Sequence, residues 1–283
     1  MKIGVVIVTY NISLGDSQTL KSLLKVFNSF RSSLFELYVY DNSVKYQTLS
    51  EKAPFSNLQY YHDPNNGGLC AAYNYALNKC KDKSINWLLL LDQDSLISES
   101  FLNNLELAAN QYLNNNDVVA ILPHIISNNV HISPSIRKIG GIRKEIPSEE
   151  YGFINSPILG INSGTTLKTD FMQSLGGFNT DFKLDMLDYW YFSMINKHNK
   201  KIFLLKDIML HNLSVLDYNS LSVERYKNII KAESLFFAKY TSTLNNILYR
   251  IRLLARLIKQ LFKVNNKRFS IITTRYLISI HNS

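Results

Sequence analysis

Five apolar residues run directly into two carboxylates in the stretch Trp87-Leu88-Leu89-Leu90-Leu91-Asp92-Gln93-Asp94-Ser95. A short, continuous apolar run predicts a strand that is buried on both faces, as in a parallel sheet. Alternate residues of an extended segment point the same way, so we expect Asp92 and Asp94 to face one site and Gln93 to face away from it. In open α/β sheets that site is the crevice beyond the carboxyl ends of the strands.

The two carboxylates suit a divalent cation. Mg²⁺ and Mn²⁺ prefer oxygen ligands, and Mg²⁺ is usually held by one or two carboxylates together with substrate phosphates. The Asp-x-Asp pattern is short, however, and two acidic residues in a solvated turn would look the same. The rest of the chain has to distinguish these interpretations.

Predicted strands and helices alternate before and after this stretch. The hydrophobic pattern predicts strands over residues 3–8, 34–40, 58–62 and 87–91, and helices over residues 17–30, 69–79 and 98–113. We expect Ser98 to cap the last of these helices. This order is typical of an α/β protein with a mostly parallel sheet flanked by helices.

The second half of this domain is predicted in less detail. We expect a strand over residues 118–122 and then a long loop region, to residue 158, that forms part of a substrate lid. Further predicted elements are a helix over residues 169–175, a helix from Asp188 and a strand over residues 201–205.

Polar or glycine-rich residues end several of the predicted strands on one edge of the sheet. These residues are Thr9, Tyr10, Asn11, Asp41, Asn66 and Gly68, with Asn74 on the following helix. A nucleotide site built from these strand ends explains their order, with Asp41 accepting from a base or ribose. Each of them taken singly is also an ordinary turn or surface residue. The glycine pattern matches neither the phosphate loop of nucleotide hydrolases nor the dinucleotide fingerprint.

Two later residues are candidates for chemistry. Asp188 precedes an apolar helical segment, where a carboxylate also suits the positive end of a helix. His211 follows the last predicted strand, and a single histidine is equally well explained as a structural residue.

Composition limits the class of protein. The 283 residues, 46% of them hydrophobic, suit one α/β domain with an appendage. Cys70 and Cys80 lie about 15 Å apart if they share a helix, too far for a disulfide, so we expect reduced thiols. The N-terminal apolar run is short and β-branched, which favours a first strand over a signal peptide and predicts a cytoplasmic location.

The C-terminal part of the chain carries the whole charge excess of +9. Residues 234–283 contain nine basic residues and no acidic one. Ile247, Ile251, Leu254, Ile258 and Leu261 recur at helical spacing, and basic side chains lie on another face. We therefore predict two domains, residues 1–215 and a basic helical extension, 216–283, that lies on the inner surface of the cell membrane. Packing on the first domain is the alternative, and nucleic-acid binding is not expected.

The motifs form an ordered set along the chain. They are Val6-Ile7-Val8-Thr9-Tyr10-Asn11, Tyr40-Asp41-Asn42-Ser43, Asn66-Gly67-Gly68 with Asn74, Asp92-Gln93-Asp94, Asn162-Ser163-Gly164, Gly176-Gly177-Phe178 and Asp185-x-x-Asp188. This set resembles family 2 glycosyltransferases with the GT-A fold, particularly the bacterial rhamnosyltransferase-like branch, over residues 3–215.

The resemblance implies a role for each matching residue. The implied nucleotide-sugar-binding residues are Thr9, Tyr10, Asn11, Asp41, Asn66, Gly68, Asn74, Asp92 and Gln93. Asp94, Asp92 and His211 are the implied ligands of Mg²⁺ or Mn²⁺, and Asp188 or Asp185 is the implied general base. Trp190 stands where the family commonly has a second acidic residue, and Met194 replaces a common arginine.

The resemblance implies an inverting glycosyltransferase of cell-surface polysaccharide synthesis (O-antigen, capsule or lipopolysaccharide). The donor would be a nucleotide-diphosphate sugar, dTDP-rhamnose or a UDP-hexose, and the acceptor a hydroxyl of a glycan or lipid-linked glycan. One alternative is a catalytically degenerate protein that binds nucleotide sugar or tethers partners at a membrane. Another is a sugar nucleotidyltransferase, although residues 9–13 lack the basic loop that such an enzyme needs.

Overall fold

The leucine-rich run forms the strand Trp87–Asp92, and its apolar residues are each at most 1% exposed. The structure of the chain is a computed structural model, and it describes residues 1–27, 34–48, 58–211 and 221–279. A strand that is apolar on both faces requires neighbours on both edges and helices above and below, because each alternate side chain points to an opposite layer. The predicted buried strand is therefore confirmed.

The described strands are numbered in chain order. They are β1 Ile3–Thr9, β2 Phe35–Asp41, β3 Leu58–His62, β4 Trp87–Asp92, β5 Ser95–Leu96, β6 Val118–Ser127, β7 Val130–Ser133, β8 Ser135–Arg137, β9 Arg143–Glu145, β10 Gly152–Phe153, β11 Ile158–Leu159, β12 Thr166–Lys168 and β13 Lys201–His211.

The described helices follow the same numbering. They are α1 Gln18–Phe27, α2 Gly68–Asp82, α3 Glu99–Gln111, α4 Thr169–Ser174, α5 Leu187–Lys197, α6 Val223–Lys239, α7 Thr243–Lys263 and α8 Arg268–Ser279. Ser98 caps α3 as a side-chain acceptor, as its sequence position predicts. The predicted end of the first helix, residues 28–30, lies outside the described residues.

The main sheet has the order β10-β13-β6-β12-β4-β1-β2-β3. The strands β3, β2, β1 and β4 run parallel, β13 runs parallel to β6, and β12 lies antiparallel between β4 and β6. The predicted α/β class with a mostly parallel sheet is confirmed. Its register places Thr9 beside Asp41 and Val8 beside Asp92, so three strand ends meet at one edge.

The strands β6 and β13 are longer than predicted, and the prediction of a long loop up to residue 158 is wrong. β6 continues to Ser127, and the region beyond it contains the short strands β7 to β11. Pro123 lies inside β6, and β13 shifts register opposite it, between Leu204 and Ile208. Because proline has no N–H for the ladder, its partner strand has to bulge there. The sequence pattern breaks at the proline, whereas the strands continue past it.

The chain divides into two compact units. The first comprises residues 1–136 and 145–212, and the second comprises residues 137–144 and 213–283. In the second unit the described α-helices are α6, α7 and α8. None of the described helices is both long enough and apolar enough to cross a bilayer. Cys70 and Cys80 are free and buried, as expected for structural thiols.

Candidate functional site

Three predicted metal ligands meet where β4 and β13 end. Asp92 is the last residue of β4, Asp94 lies in the following turn, and His211 is the last residue of β13. His211 Nδ1 lies 3.5 Å from Asp94 Oδ1, and His211 Nε2 lies 3.9 Å from Asp92 Oδ2. One ligand atom from each residue falls within 4.8 Å of the others. Since Asp94 is in a turn, strand alternation does not place it beside Asp92.

The imidazole of His211 is held by two serines. Its Nδ1 lies 3.0 Å from Ser95 Oγ, which lies 2.5 Å from Ser163 Oγ. Ser163 Oγ in turn accepts from the backbone N–H of Asp92 at 3.3 Å. A neutral imidazole that uses Nδ1 in this hydrogen bond has Nε2 available for a metal ion. The serines were not predicted as site residues, although Ser163 belongs to a quoted motif.

The electrostatics of the site favour a cation. Burial, followed by the charges of Asp94 and Asp188, raises the pKa of Asp92 to about 7. Burial also lowers the pKa of His211, against the effect of Asp94, so the imidazole is neutral near pH 7. Asp94 Oδ1 is buried and has no hydrogen-bond partner among the described residues. Two carboxylates and one imidazole fit Mg²⁺ or Mn²⁺. A bound ion would also remove the electrostatic repulsion between the two carboxylates.

Replacing Asp92 by asparagine should stabilise the metal-free protein at high pH. The pKa of Asp92 is raised on folding from its ordinary value of 3.8, so the native state binds this proton more tightly than the unfolded state. Native stability is therefore lost as the pH rises from about 4 to 7. In EDTA, we expect Asp92→Asn to raise Tm by a few degrees at pH 8 and to leave it nearly unchanged at pH 4.

The same melting curves provide the control. Mn²⁺ at pH 8 should raise Tm of the wild type and have a much smaller effect on Asp92→Asn, because one ligand is lost. Asp117→Asn changes an exposed carboxylate that pairs with Lys200. We expect this variant to melt like the wild type in EDTA and to be stabilised by Mn²⁺ as the wild type is. A metal-free Asp92→Asn protein that melts below the wild type at pH 8 would contradict the assignment.

Asp188 is near enough to the acidic pair for its charge to act on Asp92. It lies in the first turn of α5, and its Oδ1 accepts from the N–H of Tyr189 at 2.8 Å. Its charge contributes to the raised pKa of Asp92. Burial raises the pKa of Tyr73, and the charges of Asp92 and Asp188 add to that rise; sequence reasoning did not identify Tyr73 as a site residue. Asp185 precedes the helix and is half-buried. The structure thus brings Asp188 together with the predicted metal ligands.

Asp41 is buried and already accepts four hydrogen bonds. Thr9 Oγ1 and Ser43 N donate to Oδ1 at 3.1 and 3.0 Å, and Gln47 Nε2 and Tyr60 OH donate to Oδ2 at 3.0 and 2.8 Å. Burial alone raises the pKa of Asp41, but these hydrogen bonds outweigh it and hold the pKa below its ordinary value. The carboxylate therefore organises the loops around it, through Gln47 and Tyr60, which sequence reasoning missed.

The loop after β1 is tied to both neighbouring strand ends. The N–H of Tyr10 donates to Gln93 Oε1 at 2.8 Å, so the side chain of Gln93 fixes the start of this loop. Asn11 has a positive φ of 53°, and its N–H donates to Ser43 Oγ at 2.9 Å. The ring of Tyr10 is 47% exposed at this edge and is accessible to a ligand.

Asn66 in the turn before α2 and Gly68 at the first position of α2 have positive φ values of 50° and 79°. A Cβ on Gly68 would lie 2.5 Å from the carbonyl oxygen of Lys183, so only glycine permits this approach. Asn74 lies six residues further along α2. Its Nδ2 donates to the carbonyl of Phe178, and its Oδ1 accepts from the N–H of Phe178, each at 2.8 Å. The Asn74 amide is thus used to fix the loop before α5.

Comparison with known proteins identifies the fold. Residues 4–169 match the family model for glycosyl transferase family 2. The chain is similar to S. aureus TarS, with 19% identity and a TM-score of 0.56, over 94% of this chain and 45% of that chain. The chain therefore spans less than half the length of TarS. A search of curated proteins found no match.

Two ligand complexes are also similar in fold. S. aureus TarS 1–349 in complex with UDP-GlcNAc has 17% identity and a TM-score of 0.52, over 94% of this chain and 75% of that chain. Mannosyltransferase PcManGT from Pyrobaculum calidifontis, in complex with GDP-Man and Mn²⁺, has 14% identity and a TM-score of 0.50, over 99% of this chain and 86% of that chain. At these identities the likeness shows a common fold, the GT-A fold. With more than half of its residues matched by the family model, the chain belongs to glycosyl transferase family 2.

Proposed function

We propose that this chain is an inverting, metal-dependent glycosyltransferase that uses a nucleotide-diphosphate sugar. One observation supports the proposal: Asp92, Asp94 and His211 can offer ligand atoms within 4.8 Å of one another, and Asp188 is near enough for its charge to raise the pKa of Asp92, although these residues come from separate parts of the chain. Inversion by direct displacement needs a cation-binding group on the leaving-group side and a base on the acceptor side. This set of residues supplies both.

Asp94, Asp92 and His211 would hold Mg²⁺ or Mn²⁺. When bound, the ion neutralises the diphosphate leaving group, which is worth several kcal/mol of transition-state stabilisation. Ser95 and Ser163 hold the His211 ring and the backbone of Asp92 in place, so the ligands need little rearrangement. We assign the general base to Asp188, because its carboxylate can take the proton of the attacking acceptor hydroxyl.

The nucleotide would lie along the ends of β1, β2 and β4. Thr9, Tyr10 and Asn11 line this edge, and the exposed Tyr10 ring can pack against a base. We propose that Asp41 acts mainly by positioning Tyr60 and Gln47, because its own oxygens are occupied.

The remaining predicted donor contacts lie on either side of this edge. Asn66 and Gly68 allow close approach of the backbone, and Gln93 supports the loop of Tyr10. We propose that Asn74 acts by positioning Phe178 rather than by binding nucleotide.

The donor and acceptor are proposed more broadly. The similar folds bind UDP-GlcNAc and GDP-Man in the complexes named above, which supports a nucleotide-diphosphate sugar as the donor class. We propose dTDP-rhamnose or a UDP-hexose as the donor. We propose a hydroxyl of a glycan or lipid-linked glycan of the cell surface as the acceptor.

A donor panel tests the function. UDP-, GDP- and dTDP-sugars are added to the full chain with Mn²⁺, and Tm and release of free nucleotide diphosphate are measured. A donor that binds only the native state increases the free energy of unfolding, by about 2.7 kcal/mol at one hundred times its Kd, and so raises Tm. We expect one nucleotide class to raise Tm with Mn²⁺ and not with EDTA, and to be hydrolysed slowly without an acceptor.

The outcomes separate the alternatives. Stabilisation by a donor without any turnover, with or without a glycan acceptor, would favour a degenerate binding protein. Formation of a nucleotide sugar from a nucleoside triphosphate and a sugar phosphate would favour a nucleotidyltransferase. Stabilisation by none of the nucleotide sugars would contradict the proposed function.

A further inference from the structure

Helix α7 presents a continuous apolar face to solvent. Its members recur at spacings of three and four residues, and each is 46% to 57% exposed: Leu244, Ile247, Ile251, Leu254, Ile258 and Leu261. Phe262 extends the same face and is 84% exposed. Single exposed apolar residues are ordinary on a soluble protein, but a contiguous apolar stripe along a helix of 21 residues marks an interaction surface.

The opposite face of α7 already has partners in the second unit. Tyr249, Leu253 and Gln260 are buried. Gln260 Nε2 donates to Tyr226 OH at 2.5 Å, and Arg256 pairs with Glu233 of α6 at 2.8 Å. The apolar face therefore does not serve to pack α7 against α6 and α8, and it remains exposed after those helices have been packed.

Cations border the exposed face. Lys259 and Lys263 are exposed on one side of it, and Arg250 lies on the other side. On a helix with 3.6 residues per turn, Arg250 and Lys259 flank the stripe on opposite sides, and Lys263 lies about one turn beyond Lys259. Long cationic side chains at such margins can reach head groups while their methylenes stay beside the apolar surface.

The charge pattern distinguishes the occupants that an apolar helical face can have. A spacing of three and four residues also suits a coiled coil with a second copy of the chain. In such a pair, however, cations would face cations, because residues 243–263 contain no acidic residue and 234–283 contain none either. An anionic lipid surface complements the same pattern, since it offers an apolar interior below a negatively charged layer.

We propose that α7 lies in the plane of an anionic membrane surface, with its exposed apolar face inserted and with Lys259 and Lys263 at the phospholipid phosphates. Residues 244, 247, 251, 254, 258, 261 and 262 enter the acyl boundary. In the bound state, α7 therefore lies in the interface between the membrane and water. The proposal is independent of the sugar chemistry, because none of these residues belongs to the candidate site.

Vesicle flotation of the full chain tests this surface. The probes are vesicles of phosphatidylcholine alone and vesicles of equal parts of phosphatidylcholine and phosphatidylglycerol. We expect the chain to float with the anionic vesicles and to float much less with the neutral ones. Reversal of two cations in Lys259→Glu/Lys263→Glu should lower the partition coefficient at least about thirtyfold, and Ile251→Asp/Ile258→Asp should abolish flotation.

Matched controls keep the test decisive. Leu107→Asp changes an apolar side chain of α3 that is 67% exposed, and it should float like the wild type. Unchanged Tm values show that the α7 variants are folded. Equal flotation of the wild type and Ile251→Asp/Ile258→Asp would overturn the proposal. A chain that does not float, but forms a dimer in analytical ultracentrifugation that these substitutions dissociate, would overturn it in favour of a second copy.

Discussion

Asp188→Asn is expected to lower glycosyl transfer about a thousandfold, because a positioned general base contributes between about a hundredfold and ten thousandfold. The substitution keeps the size of the side chain and its acceptor oxygen for the N–H of Tyr189, so α5 should begin unchanged. Donor binding, measured by calorimetry with Mn²⁺, should stay close to that of the wild type. The loss therefore falls on the chemical step.

A second readout of this variant does not depend on activity. The charge of Asp188 contributes to the raised pKa of Asp92, so its removal should lower that pKa. The pH at which Mn²⁺ begins to stabilise the protein should shift downward in Asp188→Asn. Asp185→Asn is the matched control, and it should retain most of the transfer activity. Normal turnover in Asp188→Asn together with its loss in Asp185→Asn would move the base to Asp185.

Asp94→Asn is expected to remove the dependence on Mn²⁺ and to lower transfer about a thousandfold, since metal stabilisation of a leaving group is worth several kcal/mol. The reason lies in Asp94 Oδ1, a buried carboxylate oxygen with no hydrogen-bond partner among the described residues. An amide there is a weak ligand and does not carry the charge. Titration with Mn²⁺, followed by Tm and by turnover, measures both effects.

Asp117→Asn is the control for this prediction, because the Asp117 side chain is 63% exposed and the residue lies beside Lys201, at the opposite end of β13 from His211. It should bind Mn²⁺ and turn over donor like the wild type. If Asp94→Asn were still stabilised by Mn²⁺ to the same extent as the wild type, the metal site would have to be placed elsewhere.

Much of the first unit could be predicted because its signals are local. A buried parallel strand appears as an unbroken apolar run, and Trp87–Asp92 is such a run. Ser98 could be predicted as a cap because a side-chain oxygen satisfies a backbone N–H three residues away. The prediction stopped early at β6 because Pro123 resembles a strand terminator, whereas here the neighbouring strand bulges around it.

The site residues divide along the same line. The sequence placed Asp92 at a strand end, but it contained no signal that Ser95 would support His211, which lies 116 residues away. The resemblance implied that Asn74 binds the nucleotide sugar. The sequence contained no signal that its amide pairs with the backbone of Phe178, a partner 104 residues away that only folding brings near.

The amino-acid sequence by itself determined the α/β class, the carboxylates at the end of the leucine-rich strand and the amphipathic character of the C-terminal helices. Those properties follow from side chains a few residues apart, which repeat with the period of a strand or a helix. Only the tertiary structure decided that β5 pairs with the end of β13, that His211 and Asp188 face the acidic pair, and which face of α7 stays exposed. These depend on contacts between distant segments, whose choice is made by packing the whole chain.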